Sequence, residues 1–149
     1  MEINGLPLHV LVVHAAVVFG PLSAVCALAY VALPSWRDRL RWVTLGLVLI
    51  AFGAIWTAYL SGESFLDSAR FNGIEGTPLE ESIEKHEDLA ETLRLVVSGF
   101  AAVTVLAVWQ HSREGAARYV LGALVAAGAI ATLVLTVLTG DAGAQSVWG

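Results

Sequence analysis

Charge is what this chain has least of. Charged residues fill 14% of its 149 positions, against about 25% in soluble domains. The charge is missing from long continuous stretches, which excludes an ordinary soluble globule and fits membrane spans. Cysteine is nearly absent. The single Cys26 lies in an apolar run, so no internal disulfide can form. The start of the chain, Met1 to Leu8, carries no basic residue ahead of its apolar stretch, which argues against a cleaved signal peptide. Ser23-Ala24-Val25-Cys26 outlines a lipoprotein cleavage site but lacks that same basic start.

Other absences narrow the function. There is no Cys-x-x-Cys-His for covalent haem, no glycine-rich phosphate loop, no serine-centred elbow and no zinc-protease helix. No acid–base or nucleophile arrangement stands out, so an enzyme acting alone is disfavoured. The 8 basic residues are too few for a nucleic-acid surface.

What is present is apolar. Hydrophobic residues make up 57% of the chain and gather near 8–33, 40–60, 89–109 and 119–138. Each run approaches the roughly 20 residues that a helix needs to cross a hydrocarbon core. The runs are continuous rather than alternating, which favours helices over barrel strands. The expected fold is all-α, a single integral membrane four-helix bundle in contact with the lipid bilayer.

The connections differ in kind. The first carries Arg37, Arg39 and Arg41, and the third carries Arg113 and Arg118. These are five of the eight basic residues. The positive-inside bias therefore places both short loops in the cytoplasm. Both termini and the loop 61–88 then face outward. That loop is acidic, with Glu63, Asp67, Glu75, Glu80, Glu81, Glu84, Glu87 and Asp88. Its apolar residues Phe65, Leu66, Phe71, Ile74, Leu79 and Ile83 suggest a cap over the outer end. Pro78 followed by 79–88 reads as a short amphipathic helix entering the third span. Trp36, Trp42, Trp109 and Tyr119 form an inner aromatic belt, and Trp56, Tyr59, Phe65 and Trp148 an outer one.

A faint repeat runs through the chain. Span two ends Leu60-Ser61-Gly62-Glu63 and span four ends Leu138-Thr139-Gly140-Asp141. His9 precedes Ser61 by 52 residues, and His86 precedes Thr139 by 53. Either two equivalent hairpins share a pseudo-two-fold axis along the membrane normal, or short common residues coincide.

The histidines are the polar residues that need a reason. His9, His14 and His86 all map to the outer end, with Glu63 and Asp141, while His111 borders the basic inner loop. His9 and His14 are about 7.5 Å apart along the helix and about 140° apart around it, so one helix cannot present both to a single ion. Three readings stand. His9, His14 and His86 ligate a b-type haem for electron transfer, with Arg94 as a propionate partner. The same histidines with Glu63 or Asp141 hold copper or zinc in a metal-handling protein. The histidines are only structural, in an accessory subunit of a membrane complex. Arg94 likewise either pairs with Glu91 three residues earlier or meets a buried anion such as Glu63.

The segment Gly5-Leu6-Pro7-Leu8-His9-Val10-Leu11-Val12-Val13-His14 resembles the opening of a bacterial membrane-protein family catalogued as domain of unknown function 2231. Ser61-Gly62-Glu63, His86 and Thr139-Gly140-Asp141-Ala142-Gly143 to Trp148 match the family's later motifs. Val10 stands where the family carries proline, and Ala144 where it carries a second glycine. The chain also ends at Gly149, short of the tail that relatives often carry. Some relatives are fused or adjacent to Rieske-type or cytochrome c modules, so the resemblance implies electron transfer with a redox partner protein or in a homo-oligomer.

Overall fold

The computed structural model describes residues 2–3, 6–66, 76–112 and 114–148. Four long helices account for nearly all of them. They are α1 (Leu8–Ala32), α2 (Arg37–Leu66), α3 (Pro78–Trp109) and α4 (Ala116–Trp148). All four are long and apolar enough to cross a membrane. A two-residue antiparallel pair, Glu2–Ile3 with Leu6–Pro7, leads into α1. The expected all-α four-helix bundle is what the chain forms.

The helix ends follow local chemistry. Pro34 stops α1 near Ala32 and opens a 3-10 turn, Pro34–Trp36, that runs into α2. At α3, the Thr77 hydroxyl accepts from the Glu80 amide and the Glu80 carboxylate accepts from the Gly76 amide at 2.6 Å. Pro78 takes the first helical position, where no amide is needed. Gly76 sits at φ +71°, in the left-handed region that suits glycine. The amphipathic helix expected at 79–88 is the first third of α3, continuous with the span. Residues 67–75, on which the expected cap depended most, lie outside the described residues.

Each helix packs chiefly against two neighbours: α1 on α2 and α4, and α3 on α4 and α2. α1 and α3 therefore stand on a diagonal. The interior is built from small and hydroxyl residues, among them Ala24, Ala27, Ala51, Ala129, Ser23, Thr44 and Thr132. Leucines and valines such as Leu95, Val18 and Val137 point outward. Lipid is as apolar as leucine, so close packing rather than hydrophobic burial joins the helices.

The repeat is visible in what is buried. Ala16, Gly20, Ser23, Ala24, Ala27 and Tyr30 of α1 are buried, and so are the α3 residues 77 positions later, Leu93, Val97, Phe100, Ala101, Thr104 and Ala107. In α2 the buried residues are Thr44, Val48, Ala51, Ile55 and Ala58. Their partners 81 positions on, Val125, Ala129, Thr132, Thr136 and Thr139, are buried as well. Two hairpins, α1–α2 and α3–α4, thus present equivalent faces to the bundle interior.

Close approach depends on particular glycines. A Cβ on Gly128 would lie 3.0 Å from the Phe100 ring and 3.3 Å from the Phe100 Cα. Gly99, one residue from Phe100, has nothing within 4 Å of its Cβ position. Gly128→Val should therefore destabilise the bundle by about 1–3 kcal/mol through overpacking. Gly99→Val should cost no more than about 0.5 kcal/mol. Thermal unfolding of both variants in detergent checks the difference; equal midpoints would contradict the packing described.

Candidate functional site

Two imidazoles mark one end of the bundle. His9, in the first turn of α1, places Nδ1 2.9 Å from the Ala58 carbonyl oxygen and 3.3 Å from the Ser61 hydroxyl on α2. His86 of α3 places Nδ1 2.9 Å from the Thr139 carbonyl oxygen on α4. A carbonyl oxygen can only accept, so each Nδ1 carries the proton and donates. Neutral rings in this tautomer keep a lone pair on Nε2.

The rings have room because of glycine one turn further on. A Cβ on Gly62 would come within 3.2 Å of His9 Cε1, and one on Gly143 within 3.0 Å of His86 Cε1. Ala58 and Gly62 are four residues apart, as are Thr139 and Gly143. Each accepting carbonyl belongs to a continuous helix, and the Ala58 carbonyl also accepts from the Ser61 hydroxyl at 3.0 Å, so His9 shares its acceptor. His9 and His86 are 77 positions apart, the same shift that superposes the buried faces of α1 and α3.

This geometry corrects the register of the repeat. The motif match pairs Ser61-Gly62 with Thr139-Gly140. In space Ala58 corresponds to Thr139, and Gly62 to Gly143. Gly140 has nothing within 4 Å of its Cβ position. The apparent motif is displaced by three residues, close to one helical turn.

The remaining candidates stand elsewhere. His14 is exposed on α1 and bonds the Val10 carbonyl of its own helix at 2.7 Å. Its counterpart in the second hairpin is Glu91. Arg94 reaches Glu91 at 3.2 Å and lies over the rings of Tyr59 and Trp56, at 4.3 and 5.0 Å from their centroids. Its Nε is buried with no hydrogen-bond partner among the described residues. Glu63 is exposed and interacts with Tyr59. Asp141 is exposed and accepts from the Gln145 amide at 2.7 Å. Among the described residues no three of His, Cys, Asp and Glu form a group that could hold a metal ion.

A family model described as a predicted membrane protein (DUF2231) matches residues 5–149. The chain belongs to the DUF2231 family. The match takes in both hairpins, the histidine pair and both contact glycines of this DUF2231 chain. No curated protein and no solved structure matches it.

Sequence reasoning missed three parts of the site. The acceptors are backbone atoms, so Ala58 gave no side-chain signal. Gly143 was overshadowed by the motif glycine Gly140. At the opposite end a network around Tyr30 and His111 went unnoticed, although Tyr30 is a lone tyrosine inside the first span.

The His86 clamp can be tested through its glycine. Gly143→Val should push the ring off the Thr139 carbonyl and cost about 1–3 kcal/mol. Gly140→Val should be near neutral, within about 0.5 kcal/mol. Chemical unfolding in mixed micelles reads both; the opposite order would restore the motif register.

Proposed function

We propose that the chain is a small membrane subunit that binds b-type haem between His9 and His86 and passes electrons to a partner protein. The observation that carries this reading is the matched anchoring of the two rings. A histidine that ligates a metal commonly donates its other ring N–H to a carbonyl, which fixes the tautomer and raises ligand basicity. Both rings here donate from Nδ1 to a helical carbonyl. Each then offers Nε2 as the ligand atom. Two such ligands from diagonal helices suit a haem held within a bundle.

Bound haem would supply one-electron chemistry. The protein's own share is orientation of the two imidazoles and a low-dielectric surround. Arg94, about 12 Å further along α3, is the candidate propionate partner through its unpaired Nε. His14 has no part in this reading. Positive-inside bias puts the basic loops in the bacterial cytoplasm and the histidine pair toward the outer face of the inner membrane. The proposal assigns electron transfer and no catalysis to the chain itself.

The same two bonds favour one other reading. They join α1 to α2 and α3 to α4, so the imidazoles serve as clamps in a structural accessory subunit.

Absorption spectra of the full chain, purified from haem-replete cells and recorded oxidised and reduced, decide between them. The haem reading predicts a reducible Soret band, lost in His9→Ala and in His86→Ala but kept in His14→Ala. A colourless protein would overturn it and leave the clamp. Copper or zinc found in stoichiometric amount in that colourless protein would assign the pair to a metal ion instead.

A further inference from the structure

The basic end of the bundle holds a second organised site. Tyr30 is buried at the end of α1, at 1% exposure. Its hydroxyl lies 3.1 Å from His111 Nδ1 and 3.4 Å from the Ala107 carbonyl. Arg37 donates to the same hydroxyl at 3.2 Å and lies over the Tyr30 ring, 5.0 Å from its centroid. His111 Nε2 meets the Asp38 carboxylate at 2.6 Å. A carboxylate accepts, so Nε2 carries a proton. With the ring neutral, Nδ1 then accepts from Tyr30. Arg37 donates to Tyr30 and His111 donates to Asp38, while the single Tyr30 proton is shared between His111 Nδ1 and the Ala107 carbonyl.

The network opens on a cleft of about 220 Å³ lined by residues that include Tyr30, Arg37, Gln110, Arg118, Tyr119 and Gly122. That volume holds several waters. Among the described residues its wall carries two arginines, Arg37 and Arg118, and no acid. Among the described residues neither Arg37 nor Arg118 pairs with an acid. Asp38 is engaged by His111, and Glu114 on the adjoining connection makes no ion pair. Arg37 commits one of its five donors to Tyr30, which leaves a fixed fork with four. Asp38 beside Arg37 offsets part of its charge, while Arg118 has no acid in salt-bridge contact among the described residues, so the cleft keeps positive charge that suits an anion.

The position selects the kind of anion. The cleft lies between α1 and α4, where Tyr119 is 74% exposed and Trp36 and Trp109 form the aromatic belt of a membrane interface. Its wall continues into apolar residues of the spans. Basic pockets between spanning helices recognise acidic lipid headgroups. Arginine matches phosphate oxygens with paired donors. We propose that this cleft binds a phosphate-bearing anion, presented as the headgroup of an anionic phospholipid, with Arg37 and Arg118 as its ligands. The Tyr30–His111–Asp38 chain positions Arg37. The site is independent of the histidine pair at the other end and does not rest on the haem reading.

Native mass spectrometry of the delipidated full chain tests this. The probes are phosphatidylglycerol, phosphatidylcholine and inorganic phosphate. Wild type should retain phosphatidylglycerol in preference to phosphatidylcholine. Arg118→Gln, which removes no contact that the fold uses, should weaken retention about fivefold, and the Arg37→Gln/Arg118→Gln double variant about 30-fold. Arg39→Gln, a neighbouring cation outside the cleft, should leave it unchanged. Binding of inorganic phosphate that displaces the lipid and is lost in the double variant would support the phosphate site with a soluble source. Equal retention of the two lipids by wild type, or equal retention of phosphatidylglycerol by wild type and Arg118→Gln, would overturn the proposal.

Discussion

In hydrocarbon a helix offers its neighbour little to bind, because its backbone groups are already paired within the helix. What remains is the further acceptor capacity of the carbonyls, which a large ring reaches most easily where a glycine leaves room. The imidazoles of His9 and His86 use that opening. Each donates Nδ1–H to a carbonyl of the returning helix and lies against a glycine one turn on. Such bonds are worth only about 0.6 kcal/mol on average inside membranes. Their importance is geometric. They join α1 to α2 and α3 to α4 at equivalent places, in the same 77- and 81-residue registers as the buried faces.

The two-fold relation holds for the two histidine clamps and for the buried faces, and it breaks at individual side chains toward both ends. Glu91 occupies the place of His14, and Val17 is the counterpart of Arg94. Tyr30 corresponds to Ala107, whose own carbonyl it touches. The basic end therefore carries one network rather than two. One end of the molecule presents the paired imidazoles, while the other presents fixed arginine charge.

The spans were legible because charge is expensive in lipid, and the gaps between charges mark them directly. The equivalence of the hairpins was legible only in outline. Its register was misread because the acceptor at Ala58 is a backbone oxygen, while the conspicuous Ser61-Gly62 and Thr139-Gly140 pairs are not equivalent in space. His14 and Asp141 drew notice as polar residues at the right depth. Depth does not fix azimuth, and both turn outward. The basic end gives no site signal in sequence because its acid, Asp38, and its imidazole, His111, lie 73 residues apart. Folding brings them together.

The central claim is that His9 and His86 are paired anchors protonated on Nδ1. Nitrogen-15 NMR of histidine-labelled protein, near pH 8 where imidazoles are neutral, tests it with an internal control. His9 and His86 should show a protonated Nδ1 and a bare or metal-bound Nε2. His111, bonded through Nε2 to Asp38, should show the reverse. Protonated Nε2 with bare Nδ1 on both His9 and His86 would contradict the account.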